Sequence, residues 1–218
     1  MILKKVFQNG ILEPKVFKIF FFLILPIITY SQDKQDPTEA VSHTFYILSN
    51  TGPGADKATP NLLQKISEAS SKEATASLLL PGNLTRKWGF PEDKTKREEE
   101  KKFLMKELLN PLQNFNGNVI FTPGINEWTP GSPQNLDDLE SFLQDNSNGK
   151  FLPDDGCPVE DIEINDEVAL ITVDSQWYLQ DWDGSSDYNV ECDIRTKERF
   201  FIEIKDALKD NFGKLKII

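Results

Sequence analysis

An α/β fold with mostly parallel central strands is the class predicted for residues 43–218, and three stretches carry the prediction. Asn118 to Trp128, NVIFTPGINEW, is an apolar run that breaks at a glycine turn and continues into polar residues. Thr44 to Gly54, TFYILSNTGPG, and Ser77 to Thr85, SLLLPGNLT, repeat the design. Short apolar runs bounded by Gly and Pro read as buried strands. In an open α/β sheet the loops after such strands gather beyond the carboxyl ends, where these folds place their sites. The three loops therefore mark the candidate site.

The elements follow in chain order. Residues 1–31 carry Lys4, Lys5, Lys15 and Lys18, then an apolar block from Ile19 to Ile28, then Thr29, Tyr30 and Ser31. That order is a secretory signal, and the apolar block is shorter than the roughly 20 residues of a comfortable membrane span. An uncleaved anchor is the alternative. Residues 32–42 are a polar leader. His43 opens the first strand, and seven residues separate it from Asn50. At about 3.3 Å per extended residue that is roughly 23 Å, so this sole histidine is a strand-end or solvent-facing residue. Pro53 and Gly54 lead to a helix that Thr59 caps and Pro60 begins, with Leu62, Leu63 and Ile66 as its apolar face. A strand from Ala74 to Leu80 is followed by a loop containing Trp88.

A helix is predicted from about Thr95 to Asn110, with Phe103, Leu104, Leu108 and Leu112 inward and Glu98 to Lys102 as a solvated charged face. Pro111 marks its end or a kink. After the third loop, Asn135 is expected to cap a helix that buries Leu136, Leu139, Phe142 and Leu143. Ile162–Ile164 and Val168–Val173 read as adjacent strands around an Asn165-Asp166 turn. Trp177 and Trp182 read as packing aromatics, and Asp181, Asp183 and Asp187 as a polar turn rather than a calcium loop, because the twelve-residue calcium pattern is absent. The last helix is capped by Thr196, buries Phe200, Phe201, Ile204, Leu208 and Phe212, and stops at Gly213. Lys214–Ile218 opens a strand.

The formal charge is −11, and loss of residues 1–31, which carry a net +3, leaves −14. Such a surface repels nucleic acid and anionic lipid. Cys157 and Cys192 are the only cysteines, and export makes a disulfide between them the natural reading.

The order, spacing and flanks of the loops resemble the calcineurin-like metallophosphoesterases, particularly their purple-acid-phosphatase-like bacterial branch. That family's motifs read D-x-G, G-D-N/x-x-Y and G-N-H-D/E. Here the positions read Asn50-Thr51-Gly52, Pro81-Gly82-Asn83-Leu84-Thr85 and Gly124-Ile125-Asn126-Glu127. Gly52, Asn83, Gly124 and Glu127 fit. Phe151 to Pro158, FLPDDGCP, and Asp174 to Trp182 continue the likeness. Asn83-Leu84-Thr85 also matches a glycosylation sequon, for which the family motif is the better explanation.

The resemblance implies a four-layer sandwich, two sheets face to face between helices, and hydrolysis of phosphoesters by two divalent metals such as Fe, Mn or Zn. The family's first metal-binding Asp, bridging Asp, ligand Asn and leaving-group His fall on Asn50, Gly82, Ile125 and Asn126. A neutral amide, a hydrogen, a hydrocarbon and a second amide do not replace them. No catalytic residue and no metal are therefore expected, with Asn50, Asn83 and Glu127 the weak candidate ligands. The likeness covers only the first half of a family domain, so the chain reads as an exported, truncated and degenerate homologue. It is expected to reach a protein partner or to self-associate through an uncovered sheet face. The alternatives are a weak metal-dependent hydrolase and an extracytoplasmic binding module.

Overall fold

The computed structural model describes residues 41–52, 58–130, 133–180, 192, 194 and 196–218. The expected signal, Pro53 and Gly54, Trp182 and the aspartates at 181, 183 and 187 lie outside the described residues, as does the leader up to residue 40. Ser42 to Ile218 is one compact unit.

Three of the strands are those that the apolar runs predict. β1 (Thr44–Ile47), β2 (Ala76–Pro81) and β3 (Asn118–Thr122) are joined by the short β4 (Lys150–Phe151) in a four-stranded, all-parallel sheet in the order β1-β2-β3-β4. A parallel sheet needs long crossovers. α1 (Thr59–Ser70) supplies the first, and the second runs through α2 (Lys94–Phe103), a π-helical stretch (Leu104–Leu109) and α3 (Asn110–Leu112). The π-helical stretch lies immediately before Pro111, which has no N–H to continue the ladder, and the Asn110 N–H reaches back to the Met105 carbonyl. The helix therefore absorbs Pro111 instead of stopping at it. After β3 come α4 (Ile125–Trp128) and α5 (Pro133–Asp145).

A second sheet holds β5 (Val159–Asn165), β6 (Val168–Val173) and β7 (Leu215–Ile217), with β5 antiparallel and β7 parallel to β6. The predicted turn between β5 and β6 is held by the Asn165 side chain, whose Oδ1 accepts from the Glu167 N–H at 2.9 Å. α6 (Ser175–Leu179) and α7 (Lys197–Asp210) complete the elements among the described residues.

Strand alternation builds two cores. Leu78, Leu80, Val119 and Phe121 face the helices and meet Leu63, Leu104, Leu108 and Leu139. The intervening Leu79 and Ile120 point the other way and pack with Leu152 and with Leu170 of the second sheet, against Phe45, Ile162, Ile164 and Ile217. Each such side chain, fully buried, stabilises the fold by about 1.5–3 kcal/mol. The indole of Trp177 is fully buried and stacks on Phe200 at 5.6 Å, and Asn211, just beyond α7, donates to the Asp161 carboxylate of β5 at 2.7 Å. Cys157 and Cys192 stand at disulfide distance, with Cα atoms 5.3 Å apart. Among the described residues no helix is long and apolar enough to cross a membrane.

Four local expectations are corrected. Thr59 lies inside α1, with Ala58 at the cap position, and Asn135 lies inside α5 because that helix begins at Pro133. Asn135 is buried and accepts a hydrogen bond from the Arg97 guanidinium at 3.1 Å, a tertiary contact that overrides its capping preference. Glu100 is not part of a solvated face: it is fully buried, accepts from the Arg86 backbone N–H at 2.9 Å and pairs with the Arg86 guanidinium at 3.1 Å. Leu62, Phe201 and Phe212, expected inside, are exposed, and Ala207 occupies the buried face of α7.

Candidate functional site

β1, β2 and β3 run parallel, so their carboxyl-terminal loops stand side by side, and main-chain hydrogen bonds join them. The Asn50 N–H donates to the Gly82 carbonyl at 3.2 Å, the Gly52 N–H to the Asn83 carbonyl at 2.7 Å, and the Gly82 N–H to the Thr122 carbonyl at 2.9 Å. The turns are tight. Asn50, Gly82 and Asn83 have φ of 59°, 72° and 55°, a left-handed conformation that Gly adopts freely and Asn tolerates. Close approach demands glycine twice more. A Cβ on Gly52 would fall 2.2 Å from the Thr85 carbonyl oxygen, and one on Gly124 would fall 2.7 Å from the Gly82 Cα.

Glu127 sits where these loops meet and is 1 % exposed. Its Oε1 accepts from the Thr85 N–H at 2.8 Å and the Thr85 hydroxyl at 2.7 Å. Its Oε2 accepts from the Asn83 N–H at 2.9 Å and the Gly124 N–H at 2.8 Å. Each carboxylate oxygen thus takes two donors, which uses the lone-pair sites of an ionised carboxylate. The bond to Gly124 is also half of a capping box, a glutamate three residues into a helix reaching back to its start.

The asparagines are engaged in the same way. Asn126 donates its N–H to Asn83 Oδ1 at 3.3 Å and its side-chain amide to the Thr85 carbonyl at 2.9 Å. The sequence-predicted positions Asn50, Gly82, Asn83, Asn126 and Glu127 are therefore brought together, whereas the Ile125 side chain is 60 % exposed to solvent. Thr85 is fully buried and holds Glu127, so the folded chain does not present the Asn83 sequon.

Two divalent metals, as the resemblance implies, do not fit these donors. A two-metal centre holds its cations about 3.5–4 Å apart and needs anionic or imidazole ligands with free lone pairs, one of them bridging. The one carboxylate among the loop positions already has four hydrogen bonds, and Gly82, which the resemblance would make the bridging position, has no side-chain ligand atom. Among the described residues no group of three or more His, Cys, Asp and Glu is arranged to hold a metal. His43 is at the other end of β1. Its Nδ1 lies 2.8 Å from the Thr75 hydroxyl and its Nε2 3.0 Å from the Ser77 hydroxyl, which pins it to the neighbouring strand.

Beneath the cluster lies a residue that loop reading passed over. Asp174 is buried and accepts from the Trp128 indole N–H at 2.7 Å and from the Gln176 and Trp177 N–H groups at 2.9 and 3.1 Å. It caps α6 and ties it to α4. The signal for it was an Asp directly ahead of a short amphipathic run. Burial pushes its pKa up to about 6, against the stabilising bonds from Trp177, Trp128 and Gln176.

Other carboxyls shift in the same direction. Burial, with Asp155, Asp154 and Asp137 nearby, raises Glu140 to about 7, and burial raises Glu100 and Glu160. Between the ordinary carboxyl range and these raised values the folded chain binds more protons than the unfolded one. This stability is complete below the unfolded pKa and is lost as pH rises through the folded one. His43, lowered by burial, acts with the opposite sign. Thermal stability should therefore rise as pH is brought from about 8 to about 5.5, and Glu140→Gln should flatten the rise. A midpoint independent of pH in a melting series would contradict this.

Comparison of the chain with family models, with curated proteins and with solved structures returned no match.

Proposed function

We propose that the chain is an exported, catalytically degenerate homologue of the calcineurin-like phosphoesterases, in which the loop cluster has become a structural joint without phosphatase activity. Saturation of the Glu127 carboxylate by Asn83, Thr85 and Gly124 carries the reading. In a hydrolytic centre a carboxylate would keep lone pairs for a metal, a water or a proton. Two facing sheets with helices on the first, and α7 against β5, support the family's layered sandwich as the parent architecture. A cysteine pair at disulfide distance supports an oxidising compartment.

The test uses the purified full chain with chromogenic phosphate monoesters and diesters in the presence of Mn²⁺, Fe²⁺ or Zn²⁺. No turnover above background is expected, and elemental analysis should find less than stoichiometric metal. Metal-dependent turnover that Asn126→Ala removes while the fold is kept would overturn the proposal in favour of a weak hydrolase.

One observation favours reuse of this face for binding. Trp88 is 46 % exposed, and the Arg86 guanidinium lies 5.3 Å from its ring and 5.5 Å from that of Phe103. A held, exposed tryptophan is the kind of anchor on which binding energy concentrates. In this reading a protein partner engages Trp88, and Trp88→Ala abolishes its capture while the protein remains folded.

A further inference from the structure

A cavity of about 330 Å³ opens at the amino-terminal ends of β1, β2 and β3, the opposite ends from the loop cluster. Its volume is at the lower end of the roughly 300–1,000 Å³ of small-molecule sites. Charged residues make up 27 % of the chain, so two or three of ten lining positions would carry charge by chance, and none does. The polar lining is Ser42, His43, Thr75, Asn116, Asn118 and Asn165, above a floor that includes Ala76 and Ile164.

The hydrogen bonds fix the state of the wall. Thr75 donates its single hydroxyl proton to the Ser42 carbonyl at 2.7 Å, so it accepts from His43, and the imidazole proton is on Nδ1. Burial holds the His43 pKa below its ordinary value, so near pH 7 the ring is neutral and Nε2 accepts from the Ser77 hydroxyl at 3.0 Å. Both nitrogens are spent, which makes His43 a rigid, uncharged positioning residue. Asn165 uses its Oδ1 on Glu167 and has its amide nitrogen to offer. Among the described residues the side chains of Asn116 and Asn118 make no hydrogen bond and both are exposed at the mouth.

We propose that this cavity binds a neutral polyhydroxylated ligand of about monosaccharide size. An anion would find no cation here, and a cation no carboxylate. A wholly apolar ligand would strip water from the amides, at about 1–3 kcal/mol for each group left unpaired. A hydroxyl, like a carboxamide, offers donor and acceptor together and matches this lining in several orientations. The C–H face of a sugar ring suits the Ala76 and Ile164 floor.

The full chain is titrated with D-glucose, D-galactose, D-mannose and myo-inositol by saturation-transfer NMR and calorimetry, with D-gluconate and D-glucosamine as charged comparators. At least one neutral probe should bind saturably and more tightly than either comparator. The Asn116→Ala/Asn118→Ala variant should bind at least tenfold more weakly while melting as the parent does. Asn126→Ala, at the far end of the sheet, should leave binding unchanged, which separates this site from the fate of the loop cluster. Failure of all four neutral probes to saturate, equal binding of a charged comparator, or parent-like binding by the double variant would each overturn the proposal.

Discussion

Glu127→Ala should be the most destabilising single substitution in the loop cluster, whatever it does to chemistry. The substitution leaves the N–H groups of Asn83, Thr85 and Gly124 and the Thr85 hydroxyl without their acceptor, in a place where Thr85 is fully buried. An orphaned buried donor costs about 1–3 kcal/mol, and partial refilling by water reduces the sum, so a loss of about 4 kcal/mol or more is expected. That is a large part of the roughly 5–15 kcal/mol available to a domain. Glu127→Gln separates this account from a simple loss of volume. Its amide nitrogen is best placed on the Thr85 side, where the hydroxyl can rotate to accept and only the Thr85 N–H faces another donor. The Gln variant should therefore lie between the parent and the Ala variant in urea unfolding. Added formate or acetate should restore part of the loss in the Ala variant, because the cradle of donors is then open to a small carboxylate. An Ala variant within about 1 kcal/mol of the parent would show that the loops are held by something else.

Removing the bridge between Cys157 and Cys192 should cost nearly as much. The two residues are 35 apart in sequence and 5.3 Å apart at Cα, so the bond closes a long loop that runs through β5, β6 and α6. Closing a loop of that length in the unfolded chain stabilises the folded state by roughly 3–4 kcal/mol. Both cysteines also pack against the main core, so the Ser double variant loses some apolar contact as well. Urea unfolding of the oxidised parent, the reduced parent and the double variant should place the last two together, below the first. Thiol titration should find no reactive cysteine before reduction. Equal midpoints for the oxidised and reduced parent would contradict the role given to the bridge.

Much of the fold could be read from the chain because its strands announce themselves twice, by apolar runs and by the Gly and Pro residues that end them. Leu78 to Leu80 and Val119 to Phe121 are continuous apolar runs since both faces of their sheet are covered, one by helices and one by the second sheet. The longer helices were also legible, and Thr196 does cap the last of them, but the short helices Ile125–Trp128 and Ser175–Leu179 and the other helix starts were not. Asn135 looks like a cap and is a buried partner of Arg97, and Glu100 looks like surface charge and anchors Arg86. Nothing local distinguishes these two from their solvated neighbours, because the groups that satisfy them are 38 and 14 residues away.

The candidate site divides along the same line. The chain by itself determined which residue types stand at the ends of β1, β2 and β3: amides at Asn50, Asn83 and Asn126, a hydrogen at Gly82, a hydrocarbon at Ile125 and one carboxylate at Glu127. It could not determine what Glu127 does, since a carboxylate in a glycine turn is equally able to bind a metal, meet solvent or accept backbone hydrogen bonds. Only the tertiary structure decided that, by closing the Asn83 and Thr85 N–H groups, more than forty residues away, onto its two oxygens. Sequence fixes donor atoms; which partner reaches them is settled by the packing of distant strands, where an unpaired buried charge costs too much to remain.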